Sequence, residues 1–290
     1  MSATYFLTGT TGTVGSQVLD ALLAADSSAR IVLASRRPTR TPQVDPTRHP
    51  RVETRRFDFE DPGSFETALE GVTRVFFMRP PRLAKESTFA PFVTALERIQ
   101  PEIVTFLSVA AAERVKALPH AKIEALLAAS SLPTYFVRPE YFMSNLSIVF
   151  GKEIRTQGRL TLPSKDARFN WIAPVDIGAV VARSLQHPDD FAGQATHLTG
   201  PANYDFAEVC TLLGKLLERP ITYRPVNPVR YFSTCPHAIS PLEGAMFTLI
   251  HTLPRFFPEP TITEDYRQIT RTDPTTLEEY LRAHREEFTP

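Results

Sequence analysis

The sequence predicts an α/β fold, a doubly wound parallel sheet followed by a smaller C-terminal α/β lobe, on three observations. Through the first half, short apolar runs alternate with longer amphipathic ones, as they do when crossover helices link parallel strands. Three glycines, Gly9, Gly12 and Gly15, separate the first such pair. Past about Tyr141 the alternation changes character. With 290 residues, 42% of them hydrophobic and 22% charged, the chain can bury a large core in one domain with an appended lobe.

Strands are expected over 4–8, 30–35, 52–58, 74–78, 103–108 and 134–138, whose Val, Ile and Phe content suits cover on both faces. Val14, Val18, Leu19, Leu22 and Leu23 fall on one face of the first helix. Asp61-Pro62 reads as an N-cap followed by proline at the first helical position. Residues 143–156 then read as one helix, 158–163 as a short strand and 164–166 as a polar turn. Asp176 can begin a helix over 177–185, and 197–199 is a further strand. Asp205, with Glu208 three residues on, forms a capping box for a helix over 206–217. Between Pro225 and Pro274 proline is dense and the period weak, and a helix over 275–287 ends the chain. The expected division is 1–140 as the core sheet domain and 141–290 as mainly the second lobe, with segments near 171–200 returning to the sheet.

Composition narrows the partners. Lys plus Arg and Asp plus Glu are equal at 32, so no overall field recruits nucleic acid or an anionic membrane. Cys210 and Cys235 make neither a disulfide framework nor a metal spacing, and Cys210 falls in an apolar periodic segment that suits a buried thiol. No metal site is expected. Met1 leads straight into a strand-like segment, and no apolar stretch reaches spanning length, so a soluble cytoplasmic protein is expected. A small molecule is the expected partner, and a homodimer stays open.

The turn Thr8-Gly9-Thr10-Thr11-Gly12-Thr13-Val14-Gly15 lies between a strand and an amphipathic helix, the context of a dinucleotide-binding Rossmann turn. Gly9 permits the tight turn, Gly12 lets backbone approach a pyrophosphate, and Gly15 permits close packing of helix on sheet. Thr11, Thr13 and Val14 belong to the same cradle, where the helix N-terminus offers unpaired N–H groups. An enzyme for NAD usually carries Asp or Glu at the end of the second strand to accept from the ribose 2′-OH. Here that place reads Ser35-Arg36-Arg37, and no acidic residue occurs from 31 to 44. Cations there suit a 2′-phosphate, hence NADP(H), with Arg36 the first choice for the contact and Arg37 or Arg40 the second. A solvated basic turn is the alternative.

With these segments in view, the chain resembles the NmrA-like group of atypical short-chain dehydrogenase/reductases. The carriers are the glycine turn, Phe57-Asp58-Phe59, Phe106-Leu107-Ser108, His120 to Glu124 and Ser131-Leu132-Pro133. To these add Arg138-Pro139-Glu140-Tyr141-Phe142-Met143-Ser144-Asn145, Pro174-Val175-Asp176-Ile177 and Leu198-Thr199-Gly200-Pro201. The resemblance implies a Rossmann sheet with a C-terminal substrate lobe. It implies Asp58 and Phe59 beside the adenine, Met78 and Arg79 near the ribose, Ser108 at the nicotinamide ribose, and Pro139 and Tyr141 bordering the nicotinamide. Each has a plainer reading: Asp58 as a turn cap, Phe59 and Tyr141 as core, Ser108 satisfying a backbone group.

A typical short-chain dehydrogenase pairs a tyrosine with a lysine four residues on. None of the eight tyrosines here has that partner. In related reductases a lysine opens the corresponding helix, and matching from Ser131-Leu132-Pro133 puts His120 there. His120 is therefore a candidate to carry a proton or hold the ribose, with Glu124 to orient it; a surface histidine at a helix start is the alternative. Tyr141 is the other catalytic candidate. Tyr141, Phe142, Asn145, Phe169, Trp171, and Phe232 or Phe247, are expected to line an apolar substrate pocket. The leading expectation is an NAD(P)H-dependent oxidoreductase, NADPH preferred, reducing a small apolar quinone, enone, imine or carbonyl. The alternative is a non-catalytic NADP(H)-sensing regulatory protein. A cofactor-independent cyclase or isomerase is the third, and the intact glycine turn argues against it.

Overall fold

The computed structural model describes residues 3–25, 28–38, 44, 47–234 and 240–289, apart from the side chains at 241–243. Arg40 and Cys235 lie outside the described residues. In chain order the first elements are β1 (Thr4–Thr8), α1 (Thr13–Ala25), β2 (Arg30–Ser35), β3 (Val52–Arg56), α2 (Phe65–Leu69), β4 (Arg74–Met78), α3 (Ala90–Ile99), β5 (Ile103–Leu107), α4 (Pro119–Ala128) and β6 (Thr134–Pro139). Then come β7 (Tyr141–Phe142), α5 (Asn145–Ile148), α6 (Gly151–Gln157), β8 (Arg159–Leu162), β9 (Phe169–Ile172), α7 (Pro174–Gln186) and β10 (Gln194–Leu198). The last are β11 (Asn203–Tyr204), α8 (Phe206–Leu217), β12 (Thr222–Pro225), α9 (Pro228–Thr234), α10 (Pro241–Thr252), α11 (Asp265–Thr270) and α12 (Leu277–Ala283). They form two units: 1–139 with 174–198 and 265–272, and 140–173 with 199–264 and 273–290.

The first unit is built on a seven-stranded parallel sheet in the order β10-β6-β5-β4-β1-β2-β3. Its β1 and β5 are buried at every position, as strands covered on both faces must be. On one side an aromatic cluster fills the core, with Phe57 edge-on to Phe6 at 5.2 Å and to Phe92 at 5.2 Å. α1 packs closely on α7: a Cβ added at Gly178 would lie 2.7 Å from the Gln17 backbone. The sequence boundaries hold to the residue for β1, β2 and β4. β3 ends at Arg56, two residues short of Asp58, because Phe57 turns inward to the cluster.

The second unit has a three-stranded sheet, β11-β9-β7, and a parallel pair of β12 with β8. Its core gathers Trp171, Phe169, Phe150 and Phe206 with aliphatic residues of α8 and α12. The capping box at Asp205 is as the sequence reads: its carboxylate accepts from the Ala207 and Glu208 N–H groups at 2.8 Å each, and Glu208 accepts from the Asp205 N–H at 2.9 Å. Three expected helices differ. The single helix over 143–156 is two, α5 and α6, with the chain turning inward at the fully buried Phe150. α7 starts at Pro174, so Asp176 lies in its first turn and is buried. The last helix begins at Leu277 behind a Thr276–Glu279 capping box. Among the described residues no helix is long and apolar enough to cross a membrane, and no group of three or more His, Cys, Asp or Glu side chains forms a metal-binding cluster. Burial pushes the Cys210 thiol up to about 12, which leaves it an inert core residue.

Candidate functional site

At the carboxyl ends of the first unit's strands lies a cleft of about 480 Å³. Its walls bring together most of the residues expected there: Gly9, Thr11 and Gly12 from the turn, Ser35, Arg36 and Arg37 after β2, Asp58 and Phe59 after β3, and Met78 and Arg79 after β4. The turn is closed by a Gly12 N–H bond to the Gly9 carbonyl at 2.9 Å, with Gly9 at φ +71°. A Cβ at Gly9 would lie 2.2 Å from the Met78 sulfur, and one at Gly15 2.1 Å from the Gly9 carbonyl oxygen. Gly15 thus admits the helix to the turn's own backbone rather than to the sheet. At Gly12 an added Cβ would meet the Gly9 carbonyl oxygen at 3.3 Å, a tight contact, and nothing else within 4 Å. Thr13 is exposed at the helix start and Val14 is buried, which leaves Val14 its backbone N–H to offer.

Arg36 and Arg37 are exposed on the cleft rim, with the Arg37 N–H donating to Ser35 Oγ at 3.2 Å. Among the described residues no carboxylate pairs with either arginine. Asp58 Oδ1 accepts from the Glu60 N–H at 3.1 Å and lies 3.7 Å from an Arg82 nitrogen. Phe59 borders the cleft but is chiefly core, edge-on to Phe57 at 4.8 Å. The Arg79 guanidinium donates to the carbonyls of Pro80, Pro81 and Leu83 at 2.8–3.1 Å, and burial lowers its pKa. Ser108 is buried and does not line the cleft, and its Oγ has no hydrogen-bond partner among the described residues, contrary to the plainer reading that it satisfies a backbone group. Pro139 is buried, its carbonyl accepting from the Ala110 N–H at 3.0 Å.

His120 stands second in α4, 6.2 Å from the Phe106 ring, and is half-buried. Burial, reinforced by the Arg79 charge, holds its pKa down to about 4. At neutral pH the ring is then unprotonated. Glu124 does not orient it. Both Glu124 oxygens bind Arg138, at 2.9 and 2.6 Å, and Arg138 lies 3.6 Å from Glu113 as well. The i,i+4 spacing was outweighed by a bidentate partner on β6.

In the second unit, Tyr141 does not stand open. Its hydroxyl lies 2.8 Å from His251 Nε2, while His251 Nδ1 lies 2.7 Å from the Phe247 carbonyl. A carbonyl only accepts, so the neutral ring carries its hydrogen on Nδ1 and Nε2 accepts from Tyr141. Burial raises the Tyr141 pKa well above the ordinary phenol value, against a smaller opposing effect of the Asn145 side chain. Phe150, Phe169 and Phe206 surround the pair, with centroids 5.8–6.1 Å from the imidazole. Trp171, expected in a pocket, is fully buried, its indole N–H donating to the Tyr204 carbonyl at 3.2 Å. Phe169 is core too. Phe142 and Asn145 are half-buried, and Phe232 is exposed. His251 was missed in the sequence because it lies in the proline-dense stretch; its signal is a lone histidine in the otherwise uncharged run 244–252.

The residues present fit a nicotinamide dinucleotide: a glycine turn at a helix start and exposed arginines on the same cleft. Comparisons with known proteins agree. The chain is 29% identical over 278 residues to a prestalk A differentiation protein A of Dictyostelium discoideum, covering 95% of this chain and 90% of that one. It is 26% identical to an NAD(P)H azoreductase of Xenophilus azovorans over 74% of each chain. In fold it matches the Escherichia coli NADPH-dependent quinone oxidoreductase QOR2, solved with NADPH, at TM-score 0.83 and 17% identity over 98% of this chain and 99% of that one. The NmrA-like family model matches residues 1–281, and the chain belongs to the NmrA-like family.

Proposed function

We propose that the protein is an NAD(P)H-dependent oxidoreductase, preferring NADPH, that reduces a small, largely apolar quinone, enone, imine or carbonyl compound. One observation carries the cofactor reading: Arg36 and Arg37 stand exposed on the rim of the glycine-turn cleft with no carboxylate paired to them among the described residues. The turn amides would hold the diphosphate, the arginines the 2′-phosphate, and Ser108 Oγ a ribose hydroxyl. The cofactor supplies the hydride. His120, neutral at physiological pH, is suited to accept or donate a hydrogen bond at the ribose rather than to serve as the acid. Phe142 and Asn145 remain the proposed substrate contacts. The kinship with an NAD(P)H azoreductase supports the reductase class.

A second reading, an NADP(H)-sensing regulator without turnover, is favoured by a different observation. Both expected proton donors are engaged, His120 by its lowered pKa and Tyr141 by its bond to His251. A screen of NADPH oxidation against quinones, enones, imines and aldehydes, with NADH in parallel, separates the two. Turnover supports the reductase. Tight NADPH binding with no turnover across all four classes supports the sensor.

A further inference from the structure

Arg82 was not among the residues the sequence singled out, yet it lines the cleft. The sheet order sets β3 and β4 three places apart, with β2 and β1 between them. At the usual spacing between neighbouring strands, the segments leaving their carboxyl ends start about 14 Å apart. Arg82 joins those segments. One guanidinium nitrogen bonds Glu60 Oε2 and the other lies 3.7 Å from Asp58 Oδ1, both carboxylates belonging to the segment after β3. The segment that presents Arg82 is ordered in advance: Arg79 binds the carbonyls of Pro80, Pro81 and Leu83, and two prolines fix φ. Arg82 therefore differs from Arg36 and Arg37. Its charge is answered by two carboxylates, whereas among the described residues no carboxylate answers theirs.

We propose that Arg82 is a positioning residue for the adenosine end of the cofactor. It latches the segment after β4 to the segment after β3, fixes Asp58 on the cleft wall, and does not read the 2′-phosphate. The inference rests on the NADP(H) reading above. It assigns the four arginines of the cleft different work: Arg36 and Arg37 discriminate between the cofactors, Arg79 shapes its own loop, and Arg82 holds the wall that both cofactors use. Glu60 is not among the residues that line the cleft, so Glu60→Gln opens the latch without removing a lining side chain.

The test is calorimetric titration of the wild type, Arg82→Ala, Glu60→Gln and the double variant with NADPH and with NADH at one ionic strength. Arg82→Ala should weaken both cofactors by the same factor, about three- to tenfold for two half-exposed ion pairs. Glu60→Gln should weaken both by a smaller common factor, and the double variant should be no weaker than Arg82→Ala alone, because one latch is being opened twice. Loss confined to NADPH would make Arg82 a phosphate ligand and overturn the proposal. So would additive losses in the double variant, or an Arg82→Ala protein that binds both cofactors as the wild type does. A wild type that binds neither dinucleotide overturns the cofactor reading and the latch together, whereas an indifferent Arg82→Ala in a wild type that binds overturns the latch alone.

Discussion

The carboxyl-end cleft of the first unit and the aromatic core around Tyr141 in the second use similar polar residues to opposite ends. In the cleft, Arg36 and Arg37 are exposed, and among the described residues no carboxylate pairs with either. Around Tyr141 the side chains are paired with one another and with backbone: Tyr141 with His251, His251 with the Phe247 carbonyl, and the Trp171 indole with the Tyr204 carbonyl. Buried polar groups without partners cost free energy, so a packed core favours pairing them, as it does for Tyr141, His251 and Trp171. The difference teaches that aromatic density by itself does not locate a pocket.

Substitutions in the two regions should accordingly split stability from cofactor binding. The largest effect is expected for Trp171→Ala, which empties a fully buried site in the second unit and should cost about 3–5 kcal/mol in urea unfolding. NADPH affinity of the folded variant should stay at the wild-type value, and a large loss of affinity at unchanged stability would return Trp171 to the binding surface.

Next is the pH dependence set by His120. Folding lowers its pKa to about 4, below the unfolded value near 6.5, so as pH falls the unfolded chain takes up the proton first. Stability should therefore drop between about pH 6.5 and 4, by on the order of 3 kcal/mol, and flatten below. His120→Gln should remove that segment of the stability profile. An imidazole signal that titrates near 6.5 in the folded protein would contradict it.

Tyr141→Phe should be smaller, about 1–2 kcal/mol, because it leaves His251 Nε2 without its donor inside the aromatic cage. If Tyr141 is core, the variant should keep both NADPH affinity and any turnover found in the substrate screen. Loss of turnover at unchanged stability would restore Tyr141 as the acid.

Local signals were legible in the sequence wherever the chain's own neighbours decide the outcome. The glycine turn, the strands β1, β2 and β4, and the Asp205–Glu208 capping box depend on adjacent residues, and each has the expected bounds. What escaped depends on distant partners. Glu124 could not be seen to choose Arg138 over His120, because β6 meets α4 only through the fold. The break between α5 and α6 follows from burial of Phe150, which the helical period of 143–156 does not reveal. Arg82 lies in a proline-rich loop with no periodicity, and only the sheet order shows which segments it joins.

Under the proposed function the cleft selects NADPH through Arg36 and Arg37 after β2. The direct measurement is the pair of dissociation constants for NADPH and NADH, at one stated ionic strength, for the wild type and for Arg36→Ala. Charge-assisted hydrogen bonds worth about 1.5–3 kcal/mol predict NADPH bound at least roughly tenfold tighter by the wild type, with most of that ratio lost in Arg36→Ala and NADH affinity nearly unmoved. Equal dissociation constants in the wild type would contradict the account.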